Sequence, residues 1–356
     1  VRRLVLIILT IGAMASGVNA LELKSGRMKL VLHEDIGRFS LYYLEDLQQD
    51  RYVPLFLDQD PRTSFITVLE NNRIHKMGET GGFTLSTEKT AQGARFIWES
   101  SSVQVVEDFK PATAQGGRLA AGLRISLQIT NTSEKASQIG ARFLIDTYLG
   151  EKNGIHFKTA DKHSYSREAE IIPSAAQWYV LSPSSDYADV ALQTMLFGGG
   201  VTVPSRVVLA NWKRLTESPW DYQVNPARNF NLLPYSIDDS AQALYYNPVS
   251  VDRGQTREIV ILLGNAASGG YSVASTSDSG LSDLLGNEAS PASGSTSGST
   301  RGTASESPYH DLVAVNDILR EIDRLLGANT PVTEQDLAVI ENALGKLRSL
   351  YGEQER

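Results

Sequence analysis

The sequence predicts a mainly β protein: a large antiparallel two-sheet sandwich, followed by a flexible linker and a C-terminal α-helical hairpin. Three observations carry this expectation. Hydrophobic residues alternate with period two through the middle of the chain, a Ser/Gly-rich stretch begins near residue 265, and steps of three and four take over after residue 308.

The clearest alternation runs from 119 to 130. Leu119, Ala121, Leu123, Ile125, Leu127 and Ile129 interleave with Ala120, Gly122, Arg124, Ser126, Gln128 and Thr130. Side chains two apart share one face of a strand, so one set faces a core and the other water. Asn131-Thr132-Ser133 then supplies turn chemistry. Shorter strands are predicted at 28–33, 38–44, 64–70, 95–99, 103–109, 188–196, 206–212, 242–246 and 257–263, with Gly, Pro, Asn and Asp between them. No long amphipathic helix intervenes, which argues against βαβ units and for packed antiparallel sheets. The body at 21–264 is read as one large sandwich, with two smaller ones as the alternative.

Residues 265–307 are dominated by Ser, Gly, Ala and Thr. Such a stretch buries too little apolar surface to offset its ordering entropy and is expected to be a disordered tether. At 308–356 the rhythm changes. Leu312, Val315, Leu319, Ile322 and Leu326 form one helical stripe, and Leu337, Ile340, Leu344 and Leu347 a second. Gly327 and Pro331 separate them. A two-helix unit has little core of its own, so the stripe is expected to dock on a partner or on a second copy.

Residues 1–20 have the composition of a secretory signal peptide: Arg2 and Arg3, an apolar run over 4–15, and Val18-Asn19-Ala20 as a small-residue cleavage site. Cysteine is absent, which excludes disulfides, thiolate metal sites and a Cys nucleophile. The 33 Lys+Arg against 41 Asp+Glu give a net charge of −8, which disfavours nucleic acid and anionic membrane surfaces as partners. A periplasmic location is expected, with secretion or cell-surface association as alternatives, and no membrane insertion after cleavage.

Chemistry-bearing residues fall into small sets. Asp146, Glu151, His156 and Asp161 are the most concentrated. Asn153-Gly154 is a hairpin signal that would set Glu151 opposite His156, either as an acid–base pair or as a solvated ion pair. No second His stands at metal-ligand spacing, so neither metal nor cofactor is expected. Trp212, Trp220 and Tyr222 share a segment with Lys213, Arg214, Glu217 and Asp221. They would stack on a sugar ring or pin their loop to the core. Asp58 with Asp60, and Asp238 with Asp239, are paired carboxylates that also suit ordinary turns. Gly198-Gly199-Gly200 lacks the Lys and helix of a phosphate loop, and neither G-x-S-x-G nor H-E-x-x-H occurs.

Two stretches carry a resemblance. The run Ile129-Thr130-Asn131-Thr132-Ser133 precedes Gly140-Ala141-Arg142-Phe143-Leu144-Ile145-Asp146-Thr147-Tyr148-Leu149-Gly150. Further on, Ser240-Ala241-Gln242-Ala243-Leu244-Tyr245-Tyr246 precedes Gly254-Gln255-Thr256-Arg257-Glu258. Both resemble segments of poorly characterised exported bacterial β-sandwich proteins, including spirochaetal periplasmic ones. The resemblance covers the second half of the body and implies an extended sandwich without a known catalytic centre. It brings no active-site residues.

The functional expectation is a non-enzymatic structural or interaction component of the bacterial envelope. The hairpin would serve as its docking or oligomerisation unit, for instance in a periplasmic assembly such as a flagellar-motor accessory. The alternative is a carbohydrate-binding or carbohydrate-active sandwich that uses the loop 212–222, with a glycan as ligand.

Overall fold

A computed structural model describes residues 20–117 and 119–273. The expected signal segment, the residues beyond Val273 read as a linker, and the expected helical hairpin with its docking stripe lie outside the described residues.

In chain order the first strands are β1 (Ala20–Ser25), β2 (Met28–His33), β3 (Arg38–Asp46), β4 (Arg51–Pro54), β5 (Phe65–Glu70), β6 (Arg73–Lys76) and β7 (Thr84–Thr90). There follow β8 (Gly93–Glu99), β9 (Val103–Ala114), β10 (Ala120–Asn131), β11 (Ser137–Thr147), β12 (Phe157–Thr159), β13 (Ser164–Tyr165) and β14 (Ala169–Ile171). The last are β15 (Tyr179–Pro183), β16 (Ala191–Met195), β17 (Arg206–Asn211), β18 (Ser240–Val251), β19 (Thr256–Asn265) and β20 (Tyr271–Val273). A single α-helix among the described residues, α1 (Trp212–Glu217), follows β17.

The strands form three antiparallel sheets. One runs β1-β2-β3-β4, a second β14-β17-β18-β11-β5-β6, and the third β13-β12-β15-β16-β19-β10-β9-β8-β7, with β20 paired to β9. One continuous core receives Leu30 and Phe39 from the first sheet, Val68, Phe143 and Leu244 from the second, and Phe96, Phe109, Ile125 and Ile261 from the third. This makes one large β-sandwich body. The alternation read along 119–130 holds from Leu123 to Ile129, whose odd-numbered members are core residues. It slips at the N-terminal end, where Ala120 is buried and a register shift falls between Ala120 and Gly122. Gly122 is needed there because a Cβ would stand 2.8 Å from the Tyr271 ring.

Three boundaries depart from the sequence reading. The body continues past 264: Asn265 ends β19, and Tyr271 of β20 is buried against Met195 and Leu262. The predicted strand 206–212 stops at Asn211, whose side chain caps α1 by accepting from Lys213 N and Arg214 N. The predicted hairpin at Asn153-Gly154 is instead a 3-10 turn over Glu151–Asn153, closed by Gly154 in the left-handed conformation.

The six-stranded sheet is buried on both faces. Its outer face carries Phe65, Leu144, Val208, Ala243 and Tyr245, covered by Leu215 of α1 and by Tyr222. Burial on both sides removes the alternation, which is why β11 shows a nearly unbroken buried pattern.

Candidate functional site

The register of the six-stranded sheet assembles the site. Asp146 pairs with Ala241 and Thr147 with Ser240 at one end of β11, and Asn211 pairs with Ser240 at the end of β17. Three chain segments therefore finish side by side, and the loops 55–64, 148–156 and 231–239 gather over them. The Ser64 hydroxyl accepts from Asp146 N at 2.9 Å, and Leu57 N donates to Asp146 O at 2.9 Å.

Carboxylates from separate segments converge here. Asp146 is buried, and burial first of all holds its carboxyl well above the usual range. The Thr63 hydroxyl works against this, while Asp239, Glu151 and Asp60 add to it. Glu151 accepts from Ser240 N at 2.9 Å and from Ser240 Oγ at 3.5 Å. Burial, with help from Asp239 and Asp238, still pushes it up to about 7. Asp239 is raised by burial, against hydrogen bonds from Ser236 and Asn211. No Lys or Arg forms an ion pair with Asp146, Glu151 or Asp239 among the described residues. Carboxyls raised by burial and by one another are the kind of group that marks a candidate site.

His156 lies at the same end. It is 3% exposed, packs against Phe230 at 4.5 Å, and points Nε2 toward Asp238 Oδ1 at 4.0 Å. Burial lowers its pKa, partly offset by Asp238, and Nδ1 has no hydrogen-bond partner among the described residues. Glu151 and His156 are thus brought to one site, but as neighbours of Ser240 and Asp238 rather than as a cross-strand pair.

The aromatic set divides. Trp212 belongs to the site: its Nε1 donates to Thr63 O at 2.9 Å and its backbone N to Asp239 O at 3.2 Å. Trp220 packs edge-on against Tyr245 at 5.9 Å and over Gly140, where a Cβ would be 2.8 Å from the indole. Tyr222 is buried in the outer core. Trp220 and Tyr222 therefore anchor their loop. A feature the sequence reading did not single out is the loop over the carboxylates, where Leu233, Tyr235 and Ile237 are 71%, 72% and 69% exposed. Lys213 Nζ stands 5.2 Å from the Tyr235 ring. Hydrophobic residues in a short loop bounded by Asn231 and Asp238 carry no periodic signal, so only the fold reveals their exposure.

Other candidates stand outside this set, although the charge of Asp60 acts on Asp146. Asp161 accepts from Thr159 Oγ1 and Gln177 on an exposed turn. Asp60 caps the short 61–63 turn and holds Arg62. Gly198, Gly199 and Gly200 all have positive φ and form a turn without a helix. No group of three or more His, Asp or Glu among the described residues is arranged to hold a metal. An open groove lined by Glu70, Arg73 and Ser133–Ser137 lies at the opposite end of β11, remote from the raised carboxyls.

No family model matches the chain, and no curated protein matches it in sequence. Solved structures do resemble its body. The GalM/aldose epimerase homologue from C. elegans aligns with 70% of this chain and 99% of its own length, at 8% identity and a TM-score of 0.45. A galactose mutarotase-like protein from Lactobacillus casei ATCC 334 aligns with 70% of this chain and 100% of its own, at 7% identity and a TM-score of 0.42. Both are carbohydrate-related by name and neither is named as a docking component; the expectation of a non-enzymatic docking component is corrected to that extent, and the carbohydrate alternative is taken up only as a proposal. At these scores and identities the likeness assigns no activity, and the case for a sugar has to come from the site.

Proposed function

We propose that the Asp146 end of the sandwich binds a neutral carbohydrate and exchanges a proton with one of its hydroxyl groups through Glu151. The observation that carries this reading is Glu151 itself. Its carboxyl is held at about 7 by burial beside Asp239 and has no cation against it. A group that is half ionised near neutrality both accepts and donates protons, which is the condition general acid–base work requires. Asp146, held well above the usual carboxylate range by burial, adds to the acidic surroundings of Glu151.

The ligand class follows from the lining. A sugar ring has hydroxyls around its edge and C–H faces above and below. The half-buried carboxyls of Glu151, Asp238 and Asp239 suit the edge, and the exposed Tyr235 and Ile237 suit a face. An end rich in uncompensated carboxylates disfavours anionic sugars. With residues 1–20 as the expected signal peptide, the site belongs in the periplasm. The carbohydrate names of the similar structures agree with this reading without carrying it.

Calorimetric titration with a panel of neutral and acidic mono- and oligosaccharides tests the binding, with wild type, Glu151→Gln and Tyr235→Ala compared. At least one neutral sugar should bind, and Tyr235→Ala should weaken it about tenfold, as expected for the loss of a stacked ring worth roughly 1–1.5 kcal/mol. Proton transfer is tested by following anomer interconversion of the bound sugar by NMR. Glu151→Gln should slow it about a hundredfold. A panel with no binder, or a Glu151→Gln protein that catalyses as well as wild type, would refute the corresponding half.

A further inference from the structure

We infer that the outer face of the six-stranded sheet contains a buried binding site for a small monovalent anion of the chloride class, centred on Arg142. This side chain is 0% exposed in the middle of β11. Two of its nitrogens are engaged: Nη1 donates to Pro219 O at 2.8 Å and Nη2 to Leu215 O at 3.0 Å. Both acceptors are neutral carbonyls, and no carboxylate forms an ion pair with it among the described residues. A buried guanidinium without an acidic counter-charge is strongly unfavourable: burial lowers its pKa, Tyr245, whose ring lies 5.4 Å from Cζ, works against this, and Arg206 lowers it further.

The surroundings supply the rest of the site. Across the sheet the register sets Lys76, Thr67, Arg142, Tyr245 and Arg206 in one row. The outer two cations have their own acids, since Lys76 meets Glu79 at 2.7 Å and Arg206 meets Glu170 at 3.1 Å. Arg142, between them, has none. Four polar atoms on or above this row are buried without a hydrogen-bond partner among the described residues: Arg142 Nε, Thr67 Oγ1, Tyr245 Oη and Thr216 Oγ1. Thr67 and Tyr245 flank Arg142 as its register partners, and Thr216 follows Leu215, whose carbonyl Arg142 already holds.

All four can act as hydrogen-bond donors. A group of donors around an unpaired cation calls for an acceptor that carries negative charge, and a halide accepts from several directions at once. The same anion would neutralise Arg142 and thereby tighten its hold on the carbonyls that end α1.

The test uses the whole protein. Its thermal midpoint should rise by several degrees and saturate when sodium gluconate is replaced by sodium chloride at fixed ionic strength. A bromide-soaked crystal should show an anomalous peak beside Arg142 Nε. The double variant Thr67→Val, Tyr245→Phe keeps the shape and the guanidinium but removes two donors, so its chloride response should fall at least tenfold in apparent affinity. Arg142→Met should lose the response altogether. Equal midpoints of wild type in the two salts, no bromide peak, or an unchanged response in the double variant would each overturn the site and leave water as the occupant.

Discussion

Glu107 gives the sharpest stability prediction. It projects from β9 between Val105 and Phe109 into the core, opposite Phe96 and Leu127 of the neighbouring strands. Its Oε1 has no hydrogen-bond partner among the described residues. The nearest cation acting on it is Arg38, which is committed to Gly37 O, Met77 O and Glu79. Burial therefore dominates and pushes the carboxyl from 4.5 up to about 8. The unfolded chain releases this proton at the lower pH and the folded chain at the higher. Between the two the native state binds more protons, so stability falls as pH rises through that window. At about 1.36 kcal/mol per unit, the loss approaches roughly 3 kcal/mol by pH 7 and levels off near 5 above pH 8. Glu107→Gln keeps the shape and removes the ionisation. Urea titrations at pH 5, 6, 7 and 8 should show the variant gaining on wild type as pH rises, with the difference growing by about 2–3 kcal/mol from pH 5 to pH 7. A difference that stays constant, or one that shrinks with pH, would refute the reasoning.

Three other perturbations address the cover of the six-stranded sheet, the packing of the large sheet and the candidate site. Glu168 is buried and meets Arg214 Nη1 at 2.9 Å, so Arg214→Met leaves a buried charge alone and should cost about 3–5 kcal/mol in urea denaturation. The same variant should make the segment 225–239 more sensitive to protease, because Arg214 also holds Asn229 O and Asn231 O. A Cβ at Gly264 would collide with the backbone of Ala121 and Gly122 across β10 and β19; Gly264→Ala should lower stability by more than about 2 kcal/mol or abolish soluble expression, whereas Gly254→Asn on an open turn should be tolerated. Sugar binding that depends on Glu151 should change with an apparent ionisation near 7, read by calorimetry from pH 5 to 9, and that step should vanish in Glu151→Gln.

What could be read from the sequence follows the physics of burial. The strand at 28–33 coincides with β2, and the alternation at 123–129 marks core residues, because each belongs to a sheet with one face toward the core and a different environment on the other. β11 escaped that reading because α1 and the 218–230 segment bury its second face. Its sequence, with Arg142 between Ala141 and Phe143, shows no period two. The site residues are individually visible in the sequence, since Asp146, Glu151, His156, Asp238, Asp239 and Trp212 are each of a type that can carry chemistry or stack. What the sequence could not show is that Asp146 and Asp239, far apart in the chain, meet where β11 and β18 end together. Pairing register is a tertiary property, and the hairpin inferred from Asn153-Gly154 was local chemistry overruled by it. The helical hairpin at 308–356 lies outside the described residues.

The outer layer explains how one body holds both an end with raised carboxyls and a buried cation without an acidic partner among the described residues. Arg142, Arg206 and Arg214 lie beneath or within the cover formed by α1 and the segment after it, where they bind the carbonyls of Leu215, Pro219, Trp220, Tyr222, Asn229 and Asn231. The carboxyls Asp146, Glu151 and Asp239 lie at the edge of that same cover. A cation beside any of them would lower its pKa against the effect of burial. The cover thus separates the charges: its guanidiniums fix the loops, and burial raises the carboxyls at its edge with no guanidinium paired to them among the described residues. Any variant that brings a cation to that edge, such as Ile237→Lys, which leaves the Ser236 hydroxyl in place, should lower the Glu151 and Asp239 pKa values. In a side-chain carboxyl NMR titration their midpoints should fall by about one unit or more. Unmoved midpoints would show that burial alone sets them, and the charge separation would then be incidental to the chemistry of the site.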